Sequence, residues 1–274
     1  MFKEILENVS AQKPLVHCIT NYVTVNDVAN ILLACGGSPI MADDIGEAEE
    51  ITSICSGLYI NLGTLNERTI RSMLASGKKA NGLGKITVLD PVGAGASALR
   101  TSTAFELLKQ VRFSVIRGNI SEIRTIAQGA GTTKGVDADA SDAVTEENLD
   151  RNLAFAKELS TKTGAVIAVS GAIDIVADSG RAFVIRNGNA LMSKITGTGC
   201  MLTGVVAAWC AANPGKLPEA AAAAVCAMGL CGELAYDKLV KSDGGTSSYR
   251  TGLIDFMSKM TPDLLQGGAK IESR

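Results

Sequence analysis

Ile86-Thr87-Val88-Leu89-Asp90-Pro91-Val92-Gly93-Ala94-Gly95 is the stretch that decides the fold. The run Ile86–Asp90 has the near-continuous apolar character of a strand buried on both faces, as in a parallel sheet. It ends in an acid and a glycine-rich turn, where backbone approaches a ligand closely. Working outward, the same alternation of short apolar and longer amphipathic runs recurs on both sides. On the N-terminal side, Leu15–Ile19 reads as extended, Val25–Cys35 as helical and Ser38–Met41 as a short strand. Gly46–Cys55 is helical, Leu58–Leu62 extended and Asn66–Ala80 helical. On the C-terminal side, Phe113–Arg117 and Ala165–Ser170 read as strands, with Glu146–Thr163 a helix between them. A βαβα order predicts a parallel sheet with helices on both faces. Ile173–Ala177, Arg181–Asn187 and Leu191–Ile195, parted by Asp178-Ser179-Gly180 and Asn187-Gly188-Asn189, predict antiparallel strands at one edge. Two alanine-rich helices follow, Gly199–Ala212 and Pro218–Val240. No repeat or linker divides residues 1–274, which read as one domain, with Gly129–Asp142 as the most loop-like segment.

A net charge of −2 and one histidine, His17, argue against a nucleic-acid partner. The start of the chain reads as a charged helix without a signal-peptide core. The apolar run Ala220–Gly232 falls short of the roughly 18 residues of a membrane span, and reads as a buried helix. The seven cysteines form no CxxC pair, so they read as reduced, buried side chains of a cytoplasmic protein. Chemistry therefore falls to carboxylates, backbone amides and a few polar side chains.

Ligands of such sheets lie beyond the carboxyl ends of the parallel strands. Asp90, Arg117-Gly118-Asn119-Ile120-Ser121-Glu122 and Ser170-Gly171 stand at those ends. Asp90 and Glu122 are hard oxygen donors suited to hydrated magnesium, and the Arg117 fork suits phosphate. Asn119 and Glu122, three apart at a helix start, can face one site. The turn Thr196-Gly197-Thr198-Gly199-Cys200 opens an apolar helix with free backbone N–H groups, a natural anion site. No GxxxxGK[ST] stretch is present, which excludes a P-loop. Gly93-Ala94-Gly95 has no following acid to hold a ribose, which argues against a dinucleotide fold.

These motifs resemble the ribokinase-like superfamily, marked by Asn-x-x-Glu and a Gly-x-Gly anion turn. The match is closer to the hydroxyethylthiazole kinase family. It runs through Pro14–Asn21, Gly37–Ala42, Asn61–Thr64, Asp90–Gly95, Arg117–Asn119, Lys134–Asp137 and Thr196–Cys200. Cys200 departs from the superfamily's aspartate, as in that family. The resemblance implies a three-layer fold, mainly parallel with an antiparallel edge. It also implies ATP-dependent phosphorylation of the primary alcohol of 4-methyl-5-(2-hydroxyethyl)thiazole with Mg2+. Met41, Gly197 and Asn21 would contact the thiazole, Arg117, Ser170 and Asn119 would bind ATP, and Asp90 and Glu122 would organise the metal. Cys200 would be the catalytic side chain, assisting rather than dominating. A homotrimer with shared alcohol sites is implied, with no membrane or nucleic-acid partner. A hydroxymethylpyrimidine kinase, a nucleotide-dependent hydrate dehydratase and a silent ligand sensor stay open as alternatives.

Overall fold

The computed structural model describes residues 1–127 and 143–274, so Gly129–Asp142 and the Lys134–Asp137 block lie outside the described residues. In chain order the described elements begin with α1 (Phe2–Gln12), β1 (Leu15–Ile19), α2 (Val25–Ala34), β2 (Ser38–Met41), α3 (Ala48–Ile54) and β3 (Gly57–Asn61). Then come α4 (Glu67–Gly82), β4 (Ile86–Asp90), α5 (Ala98–Gln110), β5 (Val115–Asn119), α6 (Ile120–Ala127), α7 (Leu149–Thr163) and β6 (Val166–Ser170). Last are β7 (Asp174–Ala177), β8 (Ala182–Ile185), α8 (Thr198–Ala212), α9 (Leu217–Leu239), α10 (Thr246–Ser258), α11 (Pro262–Gly268) and β9 (Ile271–Ser273).

The strands form one nine-stranded sheet in the order β2-β1-β3-β4-β5-β6-β7-β8-β9. From β2 to β6 every pairing is parallel, and from β6 to β9 every pairing is antiparallel. The chain leaves β1 for the edge strand β2, then returns to place β3 on the other side of β1. That reversal opens a crevice at the carboxyl ends of β1 and β3, where α/β sheets bind ligands.

Strand parity divides the interior. Val16, Tyr59, Val88 and Val115 pack with α1, α2, α8, α9 and α10 on one face. Leu58, Leu89 and Ile116 face the opposite layer with α4 to α7. Because side chains alternate along a strand, neighbouring residues serve different layers, which is why these strands are apolar throughout. Helix α8 is apolar all round and buried from Cys200 to Ala212, sandwiched between the sheet and its neighbouring helices. Helix α9 has the length and apolarity of a membrane span, but 72% of its most apolar window is buried within the fold.

Two readings from sequence need correction. The strand expected at Phe113–Arg117 spans Val115–Asn119, so Arg117 lies within the strand. Leu191–Ile195 is not extended: Ala190–Lys194 forms a 3-10 turn. The Asn189 side chain accepts from the Leu191 N–H (2.9 Å) and Ser193 Oγ donates to the Ala190 carbonyl (2.8 Å), closing the turn locally. The outer antiparallel strand is instead β9, from the end of the chain. The seven cysteines are free and buried as expected. His17 is also buried, held by the Ala42 carbonyl (2.7 Å) and Thr52 Oγ1 (2.9 Å).

Candidate active site

Parity on the strands assembles the site. Asn61, Asp90 and Arg117 each lie two residues beyond a core residue on the α8 face: Tyr59, Val88 and Val115. They therefore point at the start of α8. There Gly197 adopts a left-handed φ of +87°, and the helix opens with Thr198, Gly199 and Cys200. The first N–H groups of a helix have no partner inside it, and they carry the positive end of its dipole.

Asp90 is fully buried at the end of β4. Its Oδ2 accepts from Thr203 Oγ1 (2.7 Å), Asn61 Nδ2 (3.2 Å) and Tyr59 OH (3.4 Å), and lies 3.6 Å from Arg117 Nη1. Its Oδ1 is buried without a hydrogen-bond partner. Burial raises the Asp90 carboxyl above its ordinary range, opposed by Arg117 and the three hydroxyl and amide donors. Burial also works against the Arg117 charge, but Asp90 and Glu122 outweigh it and keep the guanidinium firmly protonated. Arg117 donates to Ser170 Oγ, and its guanidinium lies so close to Gly199 that a Cβ there would come within 2.6 Å of Nη1.

Asn119 and Glu122 form a reciprocal helix cap. Asn119 Oδ1 accepts from the Glu122 N–H, and Glu122 Oε2 accepts from the Asn119 N–H, both at 2.8 Å. Glu122 Oε1 accepts from the Gly93 N–H (2.8 Å), tying the glycine-rich turn after β4 to α6. Burial and the Asp90 charge raise the Glu122 carboxyl, against these two backbone bonds.

Cys200 is buried, and its sulfur accepts from Asn61 Nδ2 (3.3 Å) and Asn21 Nδ2 (3.4 Å). Burial and then the Asp90 charge push the thiol above its ordinary range, while hydrogen bonds from Thr24 and Asn61 pull the other way. The side chain therefore stands as a neutral thiol near pH 7, despite the helix N-terminus.

Two cavities flank this cluster. The larger, about 510 Å³, is lined by Arg117, Ser170, Asp174, Asn187, Thr198 and Gly199 among others. The smaller, about 210 Å³, lies at the reversal crevice and includes Thr20, Asn21, Tyr22, Asn61, Thr64 and Arg68. Of the residues singled out from sequence, Arg117 and Ser170 line the larger cavity and Asn21 the smaller. Asp90 and Cys200 lie in the hydrogen-bonded cluster that joins them. Gly197 abuts Thr24 at the helix start. Asn119 and Glu122 brace the start of α6 and the Gly93 turn. Met41 lines neither cavity: it ends the edge strand β2, paired with Cys18 and partly buried against the core. Of the segment 243–249, Tyr249 is buried and donates to the Gly232 carbonyl (3.0 Å), and none of its residues lines the larger cavity.

Sequence reasoning missed Tyr59, Asn61, Thr203 and Asp174. Asn61 was detectable as a polar residue ending an otherwise apolar strand. Thr203 lies four residues after Gly199, one helical turn into α8. Burial pushes the Asp174 carboxyl up to about 7, against the Gly171 N–H and Arg117.

The model of the hydroxyethylthiazole kinase family matches residues 6–263. The chain belongs to the hydroxyethylthiazole kinase family. It is 62% identical over 273 residues to a protein named hydroxyethylthiazole kinase from Clostridium acetobutylicum, with all of both chains covered. The structure titled hydroxyethylthiazole kinase protein from Pyrococcus horikoshii OT3 superposes with a TM-score of 0.86 at 31% identity. That superposition covers 100% of this chain and 98% of the other. A Staphylococcus aureus pyridoxal kinase structure shares the fold alone, with a TM-score of 0.54 at 14% identity over 78% of this chain and 86% of that one. The architecture is thus ribokinase-like, three-layered and mainly parallel with an antiparallel edge.

Proposed function

We propose that this chain transfers the γ-phosphoryl group of ATP to the primary alcohol of 4-methyl-5-(2-hydroxyethyl)thiazole. The observation that carries this reading is the start of α8, standing between a nucleotide-sized cavity and a smaller one. In-line transfer needs an alcohol on one side of a phosphoryl group, the nucleotide on the other, and charge stabilisation between them. Arg117 and Ser170 hold phosphate oxygens in the larger cavity, with Asn119 bracing the adjoining backbone. The N–H groups of Gly197–Cys200 receive the charge that develops in transfer. Asn21, Gly197 and Met41 serve the thiazole side.

A magnesium ion fits this donor set through phosphates and water rather than a protein cage. No group of three or more His, Cys, Asp or Glu side chains among the described residues is placed to hold a metal. The unpartnered Oδ1 of Asp90 supports a role for that carboxylate, with Glu122, in orienting the ion's water shell. When bound with ATP, the ion would offset phosphate charge.

A cyclic homotrimer with shared alcohol sites belongs to the same reading, as does a cytoplasmic setting. Met41 ends an edge strand, and Tyr22 (77% exposed), Val23 and Ile45 leave apolar surface at the carboxyl ends of β1 and β2. A neighbouring copy covering that surface would bring Met41 into use.

Incubation with hydroxyethylthiazole, hydroxymethylpyrimidine and ATP–Mg, with products identified by mass, tests the activity. The thiazole phosphate is the expected product. Phosphorylation of the pyrimidine alone would overturn the substrate, and no phosphorylated alcohol would overturn the kinase reading.

A neutral, doubly hydrogen-bonded sulfur is a poor base. In a loose transition state the alcohol loses its proton late, so a strong base adds little. Cys200→Ala is expected to lower kcat only about tenfold, below the usual effect of deleting a general base. Its kcat ratio to wild type should stay flat with pH. Complete loss of turnover with both substrates still bound would make Cys200 the base.

A further inference from the structure

Asn61 is almost completely buried, yet it bonds to Asn21, Tyr59, Asp90 and Cys200 in the cluster that joins the two cavities. Its orientation is determined by its partners. Oδ1 accepts from the Gly63 N–H (2.9 Å) and from Asn21 Nδ2 (3.0 Å), and both partners are donors there. The NH2 group therefore faces Tyr59 OH (2.8 Å), Asp90 Oδ2 (3.2 Å) and Cys200 Sγ (3.3 Å). Two protons serve three acceptors, so the sulfur and the carboxylate compete for one donor group. Tyr59 supports the same cluster, its single hydroxyl proton shared between the Cys200 carbonyl (3.1 Å) and Asp90 Oδ2 (3.4 Å).

We propose that Asn61 is a positioning residue for phosphoryl transfer. Its carboxamide sets the Cys200 sulfur and the Asp90 carboxylate relative to one another, in the wall between the alcohol and nucleotide cavities. Because Asn61 also lines the smaller cavity, an alcohol seated there bears on the hub directly. The hub then couples occupancy of that cavity to the start of α8. A residue serving only to fill space would be replaceable by any side chain of similar volume. Asn61 is not replaceable in that sense, because both its Oδ1 and its Nδ2 are engaged.

This inference rests on the kinase reading, and two substitutions with two readouts separate it from that reading. Asn61→Leu keeps approximate volume and removes all hydrogen bonding. Asn61→Asp keeps shape, exchanges donors for acceptors, and regains one donor only when protonated. For both, kcat is expected to fall about 10- to 100-fold with KM for ATP within about twofold, as for small misplacement of reacting groups. The kcat ratio of Asn61→Asp to wild type should rise severalfold as pH falls from about 8 to about 6. A merely structural asparagine would give no such slope.

Alkylation of Cys200, followed by peptide mass between about pH 7 and pH 10, needs no turnover. Loss of the Asn61 donor should move the midpoint of Cys200 alkylation to higher pH in both variants. An unchanged midpoint, or a kcat ratio independent of pH, would overturn the proposal. Should the leucine variant fail to fold in a thermal melt, the aspartate variant carries both readouts. If wild type forms no thiazole phosphate, the kinase reading fails, while the alkylation shift still decides whether Asn61 governs Cys200.

Discussion

Arg117→Ala is expected to lower kcat/KM for ATP by about 10²–10³-fold, the range seen when a transition-state donor is removed. The guanidinium does three things at once. It donates to Ser170, stands 3.6 Å from the Asp90 carboxylate and lies against the Gly199 backbone at the mouth of α8. Removing it takes a fixed positive charge from the larger cavity and leaves Asp90 buried without its counter-ion. Breaking one side of a buried ion pair costs about 3–5 kcal/mol, unless the carboxylate takes up a proton. Asp90 is already raised by burial, so protonation is its easiest relief. The variant should therefore lose activity more severely than stability. Arg117→Lys keeps the charge but not the planar fork, and should fall between wild type and alanine. Adding Asp90→Asn to Arg117→Ala removes the orphaned charge, so the melting temperature should recover while kcat/KM does not. Steady-state kinetics and thermal melts on these four proteins suffice. A kcat/KM for ATP within about threefold of wild type in Arg117→Ala would remove Arg117 from the site.

The layers of this fold are written in local patterns, and the sequence reading follows them closely. Leu15–Ile19, Ser38–Met41 and Ile86–Asp90 are strands over the full ranges their apolar runs indicate. Their boundaries are legible because turn residues punctuate them directly. The shift at β5 is one of register: Phe113 is as apolar as the strand, but pairing with β4 and β6 brings Val115 opposite Val88 and Val166 and carries the strand on to Asn119, opposite Ser170. The edge was harder. Whether Leu191–Ile195 or Ile271–Ser273 completes it depends on which segment meets β8, a contact between residues some ninety apart in sequence. The site divides in the same way. Asp90, Arg117 and the Gly197 turn announce themselves by composition at strand and helix ends. Asn61, Tyr59 and Thr203 acquire meaning only when α8 lies across β3 and β4, which no local pattern specifies. Asn119 and Glu122 illustrate a third case, in which the spacing was plain but serves first as a reciprocal cap.

Gly197→Ala is expected to reduce kcat about 100-fold or more, the effect of misplacing reacting groups by an ångström. Two constraints meet at this residue. Its φ of +87° is left-handed, which costs a residue with a Cβ about 1–2 kcal/mol. That Cβ would also stand 2.5 Å from Thr24 Cγ2 and 3.0 Å from Thr24 Cβ. Thr24 is not free to retreat. Its N–H and its hydroxyl both donate to Asn21 Oδ1 at 3.1 Å, and Asn21 in turn donates to Asn61 and to the Cys200 sulfur. Displacing Thr24 therefore disturbs the wall of the alcohol cavity as well as the anion turn, and KM for the alcohol should rise with the loss of kcat. The two constraints are separable by a second substitution. Thr24→Ser removes Cγ2, the atom of closest approach, and keeps the hydroxyl that Asn21 needs. In the Gly197→Ala background it should restore activity severalfold if the collision dominates. If backbone strain dominates, Thr24→Ser should restore nothing, and the melting temperature should stay low in both proteins. The collision is the stronger expectation, because a contact of 2.5 Å lies far inside van der Waals range while the left-handed penalty alone is tolerable.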